Sequence, residues 1–101
     1  MRVIVMFDLP VVTAQQRKMY RRFRKHLIKN GFIMLQQSMY CKLVQNTVAA
    51  DSVIDSVKKN KPPEGLVQLL KITEKQYARM EYIVGDKTSN ILDTDERVVF
   101  I

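Results

Sequence analysis

Apolar and polar residues follow two periods along this chain, and the changes of period outline its elements. Val3-Ile-Val-Met-Phe7 is an unbroken apolar run rich in β-branched residues, preceded by Arg2 and closed by Asp8. Such a run predicts a strand buried on both faces, hence central in its sheet. Leu9-Pro10-Val11-Val12 is the turn after it. Thr13-Ala-Gln-Gln16 then matches a capping box, in which the Thr hydroxyl and the Gln side chain satisfy amides at a helix start. Gln16, Tyr20, Phe23 and Leu27 line one helical face, with Met19 and Ile28 on its shoulders. Asn30-Gly31 provides the left-handed stop.

Phe32 to Val44 is extended, and Gln36-Gln37-Ser38 interrupts it, which predicts a bend or bulge within a long strand. Asn46 caps a second helix whose Ala50, Val53, Ile54 and Val57 keep i, i+3, i+4, i+7 spacing. Lys58, Lys59 and Lys61 suit its C-terminal dipole. Pro62-Pro63-Glu64-Gly65 is a turn, and Leu66 to Ile72 a mostly apolar strand. Thr73-Glu-Lys-Gln76 repeats the capping-box pattern, opening a short turn before a strand near Met80 to Val84. The order is β-α-β-β-α-β. It predicts an α+β, ferredoxin-like sandwich with the first and third strands parallel in the middle and both helices on one face. Asp86 to Glu96 is a polar loop. Arg97-Val98-Val99-Phe100-Ile101 follows as an extra strand free to pair with its own sheet edge or a partner's. A chain of 101 residues suits one domain, 1–101, with 85–101 as loop and C-terminal strand.

Charge changes this picture from a fold to a surface. Seventeen Lys and Arg against ten Asp and Glu give a net charge of +7. No acid occurs from Leu9 to Ala50, where Arg17, Lys18, Arg21, Arg22, Arg24, Lys25, Lys29 and Lys42 all fall. On the first helix, Arg17, Arg21 and Lys25 form one ridge, and Lys18, Arg22 and Lys29 the next. Arg24 borders the apolar face, so that its stem packs while its guanidinium stays wet. Surface helices commonly pair opposite charges at i, i+4, whereas cations alone repel one another until a polyanion relieves them. Two surfaces meet that need, a nucleic-acid backbone and an anionic membrane. The helix carries no Trp, and its apolar face is just wide enough for a core. The longest apolar run is too short to cross a bilayer. No cleavage site follows Met1-Arg2, and the single Cys41 fits a reducing compartment, so the expected location is cytoplasmic.

Candidate chemistry centres on Asp8, the only acid in the first fifty residues, at the end of a buried strand and beside the basic helix. Two readings stay open. It is a divalent metal ligand, completed by its copy in a two-fold dimer, because Mg²⁺ takes one or two carboxylates with water and phosphate oxygens. Otherwise it accepts backbone amides in the Leu9-Pro10 turn or pairs with Arg17. Ser38, at the strand break, holds a phosphate or satisfies the bulge. His26 stands alone, and Cys41 reads as a small buried hydrophobe. A Gly-rich phosphate loop, zinc spacing and a Ser-His-Asp set are all missing, and the tyrosines do not fall where an RNA-recognition sheet stacks bases.

Taken in order, the first strand ending in Phe7-Asp8, the Arg/Lys helix, Asn30-Gly31-Phe32, Gln36-Gln-Ser-Met-Tyr40 and Ile72-Thr-Glu-Lys-Gln76 resemble the second core family of CRISPR adaptation proteins. That family is the small partner of the spacer-acquisition integrase, and the likeness is greatest to its type II branch. The resemblance implies a ferredoxin-like homodimer whose C-terminal strand, here Arg97 to Ile101, completes the partner's sheet. It implies DNA, and in some members RNA, bound by its backbone, with Arg17, Lys18, Arg21, Arg22, Lys25 and Ser38 as contacts. It further implies an Mg²⁺-dependent endonuclease with Asp8 as catalytic metal ligand, an activity dispensable where the integrase performs strand transfer. Phe7 stands where many members carry Tyr, and Met19 and Met34 where many carry basic residues. The alternative is a toxin-type endoribonuclease of the related virulence-associated protein D group, which shares the fold and acts without an integrase.

Overall fold

The computed structural model describes residues 1–85 of the chain. Its elements are β1 (Arg2–Asp8), α1 (Ala14–Lys29), β2 (Ile33–Gln36), β3 (Met39–Leu43), α2 (Thr47–Lys59), β4 (Leu66–Ile72) and α3 (Glu74–Ala78). The expected strand from Arg97 to Ile101 and the acidic stretch from Asp93 to Glu96 lie outside the described residues.

Local chemistry sets the helix ends. Thr13 accepts from the Gln16 amide, and Gln16 Oε1 accepts from the Thr13 amide, the reciprocal bonds of a capping box. At the other end of α1, the Phe32 amide reaches Leu27 O and the Gly31 amide reaches Ile28 O. Gly31 takes φ +90°, so the pair of bonds closes a Schellman motif around it. Phe32 and Leu27 are both buried in the core, which supplies the apolar contact that accompanies this motif. Asn46 caps α2, and Thr73 with Gln76 forms a second capping box at the start of α3.

The sheet runs in the order β2-β3-β1-β4. Every pairing in it is antiparallel, so the first and third strands are central as expected but run in opposite directions. The reason lies at Gln37-Ser38. The break in the long apolar segment is a complete chain reversal, with Ser38 at φ +64°, rather than a bulge inside one strand. Reversal sends β3 back against β1, and the expected irregularity survives as a register shift between Met34 and Gln36. No strand forms at residues 80–84, where Ile83 and Val84 are almost fully exposed with no ladder partner among the described residues.

Alternation along β1 divides the molecule. Val3, Val5 and Phe7 enter the core with Phe23 and Leu27 of α1, Ala50 and Val57 of α2, and Tyr40 of β3. Phe7 stacks on Tyr40 and meets Phe23 and Tyr20 edge to face, with centroids 5.2 to 5.9 Å apart. Both helices therefore cover one face. The other face carries Arg2, Ile4, Met6 and Asp8. Among the described residues α3 is tied to it, through Arg2 Nε on the Glu74 carboxylate at 3.0 and 3.1 Å and the Arg2 guanidinium 3.9 Å from the Tyr77 ring centre.

Arg24 borders the core as expected, but its guanidinium is not left to solvent: half-buried, it donates from Nε to the Tyr40 hydroxyl at 2.8 Å. Burial pushes the Tyr40 phenol up from its ordinary pKa, partly offset by this guanidinium. Tyr40→Phe leaves the Arg24 donor without its acceptor. It is expected to cost about 1–2 kcal/mol, read as a lower denaturant midpoint at an unchanged slope.

Candidate nucleic-acid surface and acidic cleft

The core face of α1 determines what its remaining surface presents. Phe23 and Leu27 are buried and Tyr20 half-buried, so Arg17, Lys18, Arg21, Arg22, Lys25 and Lys29 all emerge on the exposed side. The salt bridges among the described residues join the N-terminus and Arg2 to Glu74, and Lys71 to Asp51. None reaches α1. Lys18–Arg22 and Arg21–Lys25 are like-charge i, i+4 pairs, each unfavourable by a few tenths of a kcal/mol. The result is a band of cations on a helix with no counter-charge paired to it among the described residues, a surface suited to evenly spaced phosphates.

Within the band, Arg17 differs from its neighbours. Its Nη1 donates to Val12 O at 2.7 Å and to Val11 O at 3.2 Å. No local pattern in the chain points to these carbonyl partners, because they depend on the path of the loop. That path also leaves both structural alternatives for Asp8 unmet. Among the described residues its carboxylate forms no salt bridge and no hydrogen bond, either to Arg17 or to the amides of the Leu9-Pro10 turn.

Asp8 pairs in register with Leu66, as Met6 does with Gln68, and it is exposed. Alternation puts it on the sheet face away from α1 and α2, so the acid and the basic ridges occupy opposite layers of the molecule. The sequence placed them side by side because only a short turn separates β1 from α1. A shallow cleft of about 290 Å³ lies there, lined by Met6, Asp8, Gln36, Gln37, Ser38 and Gln68 among others. Ser38 is brought to Asp8 by its own backbone, since its carbonyl accepts from the Phe7 amide at 3.0 Å. Gln36, Gln37 and Gln68 join the cleft beyond the residues expected from the chain. The glutamine-rich break in the strand pattern was the signal for the first two.

On the same face Ile33, Leu43, Leu66 and Leu70 are each at least half exposed. Cys41, on this face too, is fully buried, and burial pushes its thiol up from the ordinary pKa. His26 has Nδ1 3.2 Å from the Asn30 side-chain nitrogen, and its Nε2 is buried without a hydrogen-bond partner among the described residues. As a metal centre, one chain is incomplete: no three His, Cys, Asp or Glu gather among the described residues. Asp8 contributes one unengaged carboxylate, a poor Mg²⁺ site by itself and a fuller one if a second carboxylate comes from elsewhere. No helix among the described residues is long and apolar enough to cross a membrane.

Comparison with known proteins identifies the fold and its lineage. The crystal structure of Streptococcus pyogenes Cas2 at pH 6.5 superposes with a TM-score of 0.61 at 18% identity, covering 83% of this chain and all of that one. The CRISPR-associated endoribonuclease Cas2 of Treponema denticola is 58% identical over 101 residues, the full length of both chains. The protein of the same description from Streptococcus mutans is 48% identical, over all of this chain and 93% of that relative. The family model for CRISPR associated protein Cas2 matches residues 1–80, from β1 through α3. With four-fifths of its length matched by that model, the chain belongs to the CRISPR-associated Cas2 family.

Proposed function

We propose that this protein serves CRISPR adaptation as a cytoplasmic homodimer that grips nucleic acid by its backbone and bridges integrase dimers while new spacers are inserted. The observation that carries the reading is the cation band on α1, which has no ion-pair partner among the described residues. Lys18, Arg21, Arg22 and Lys25 form the phosphate track, and Arg17 stands at its end nearest the loop. Backbone contact suits a protein that must accept segments of any sequence. The half-exposed Ile33, Leu43, Leu66 and Leu70 support dimer formation through the open sheet face, with Arg97 to Ile101 completing the partner's sheet.

A two-fold dimer through that face brings two Asp8 carboxylates toward one axis and leaves both basic ridges outward. The pair would hold Mg²⁺, and Ser38 would donate its hydroxyl to a phosphate oxygen in the same cleft. The chemistry such a cation supplies is water activation and charge neutralisation at the departing oxygen. The relatives from Treponema denticola and Streptococcus mutans are described as endoribonucleases, which favours RNA as the strand cut if this dimer cuts.

Asp8→Asn separates holding from cutting. It is expected to retain backbone binding with an unchanged salt dependence. Mg²⁺-dependent cleavage of RNA should fall at least about a hundredfold, the scale of losing a group that stabilises developing charge. Spacer integration with the neighbouring integrase is expected to persist in this variant. Cleavage at the wild-type rate would remove Asp8 from the chemistry and leave the scaffold role intact. Loss of integration despite normal binding would make the acid essential to assembly.

A further inference from the structure

We propose that Arg17 acts on nucleic acid through the loop at residues 9–13, as the positioning residue that fixes the exit from β1, and not as one more phosphate contact. The inference rests on the nucleic-acid reading of α1 and reassigns one member of its basic band.

The loop has little apolar burial to hold it. Val12 is 83% exposed and Val11 about half exposed, whereas only Leu9 is buried. Polar bonds hold it in place. Both hydrogens of Arg17 Nη1 go to consecutive carbonyls, Val11 O and Val12 O. Gln16 Oε1 accepts from the Val12 and Thr13 amides, each at 3.0 Å. Gln16 Nε2 then donates to Glu64 Oε1 at 3.0 Å, linking the loop to the turn before β4. From the other side Gly65 lies against Leu9 and the Asp8 carbonyl. Donors and acceptors of the loop are thus met in complementary pairs, carbonyls by Arg17 and amides by Gln16.

This use suits arginine and not lysine. A planar guanidinium offers paired donors in fixed directions, so one nitrogen can serve two carbonyls, while an ammonium on a flexible stem acts as a point charge. Among the described residues, Lys18, Arg21, Arg22 and Lys25 have no side-chain hydrogen bond or ion-pair partner, and they stay free for phosphates. Arg17 is already engaged. What it gives the surface is a fixed presentation of Val11 and Val12 at the end of the phosphate track.

Salt dependence distinguishes the two roles, since each phosphate contact adds about 0.9 to the slope of log K against log salt. Binding of duplex DNA of arbitrary sequence would be titrated across salt for wild type, Arg17→Ala, Arg17→Lys and Arg21→Ala. Arg21→Ala is expected to lose about one unit of slope. Arg17→Ala and Arg17→Lys are both expected to weaken binding severalfold and to keep the wild-type slope. A slope loss of about one unit in Arg17→Ala, rescued by Arg17→Lys, would overturn the proposal, as would unchanged affinity in both. Amide hydrogen exchange tests the clamp without any ligand. Exchange at Val12 and Thr13 should accelerate in Arg17→Ala and not in Arg21→Ala, and equal rates would sink the idea. A wild type with flat salt dependence would refute the nucleic-acid reading itself, while the exchange result would still decide the clamp.

Discussion

Alanine at Lys18, Arg21, Arg22 and Lys25 together is expected to abolish backbone binding while leaving the fold as stable as before, or more so. Four lost phosphate contacts lower the slope of log K against log salt by about 3.6, at roughly 0.9 per contact. Near 0.1 M salt that corresponds to an affinity loss on the order of a thousandfold. Stability should not follow, because all four side chains are exposed and unpaired among the described residues. Alanine is also the better helix former, and its introduction removes the like-charge pairs Lys18–Arg22 and Arg21–Lys25. A thermal melt beside the binding titration checks both halves. A variant that binds like wild type would place the phosphates elsewhere, and one that melts early would show these residues to be structural.

The second large effect is predicted at Gly65. This residue has φ +102°, and a Cβ there would fall 2.7 Å from Leu9 Cδ2 and 2.9 Å from Asp8 O. Leu9 is buried and has little room to turn, and the Asp8 carbonyl is backbone within the β1–β4 ladder. Backbone strain and overlap add, so Gly65→Ala is expected to cost roughly 2–4 kcal/mol. For a domain of this size the midpoint would fall by about 10 °C or more. Gly31 is the control. It also has positive φ, at +90°, but the atoms nearest its added Cβ would be those at the end of the Lys42 side chain, at 3.3 Å and beyond, with no backbone closer. Gly31→Ala should therefore cost about 1 kcal/mol, mainly from its Schellman position. Equal melting points for the two variants would contradict the account of Gly65 as a close approach.

These two experiments touch the parts of the molecule that were readable to different degrees. The α1 band was visible in the chain because helical period and charge are both local, and Phe23 and Leu27 facing the core left the cations nowhere to go but outward. Gly65 was visible as a turn residue only. That it presses on Asp8 O is a contact between residues more than fifty positions apart, which no local pattern encodes. The strand expected near Met80 to Val84 failed for a related reason. A β-branched pair such as Ile83-Val84 suits a strand but needs a neighbour to bond, and in the described structure residues 80–84 pair with neither open edge of the sheet, β2 nor β4.

What the chain determined by itself is the set of features closed within about five residues. The Thr13–Gln16 and Thr73–Gln76 capping boxes, the Asn46 cap, the Gly31 stop and the apolar stripe of each helix belong to that set, because their partners lie one helical turn away. Only the tertiary structure decided strand direction, the pairing of Arg17 with loop carbonyls, and the side of the sheet on which Asp8 emerges. Alternation told that Asp8 and Phe7 face opposite ways, but not which of those ways the helices would cover. Packing settled it: Phe7 turned inward onto Phe23 and Tyr40, and Asp8 was thereby sent to the open face, away from the basic ridges beside which the sequence had placed it.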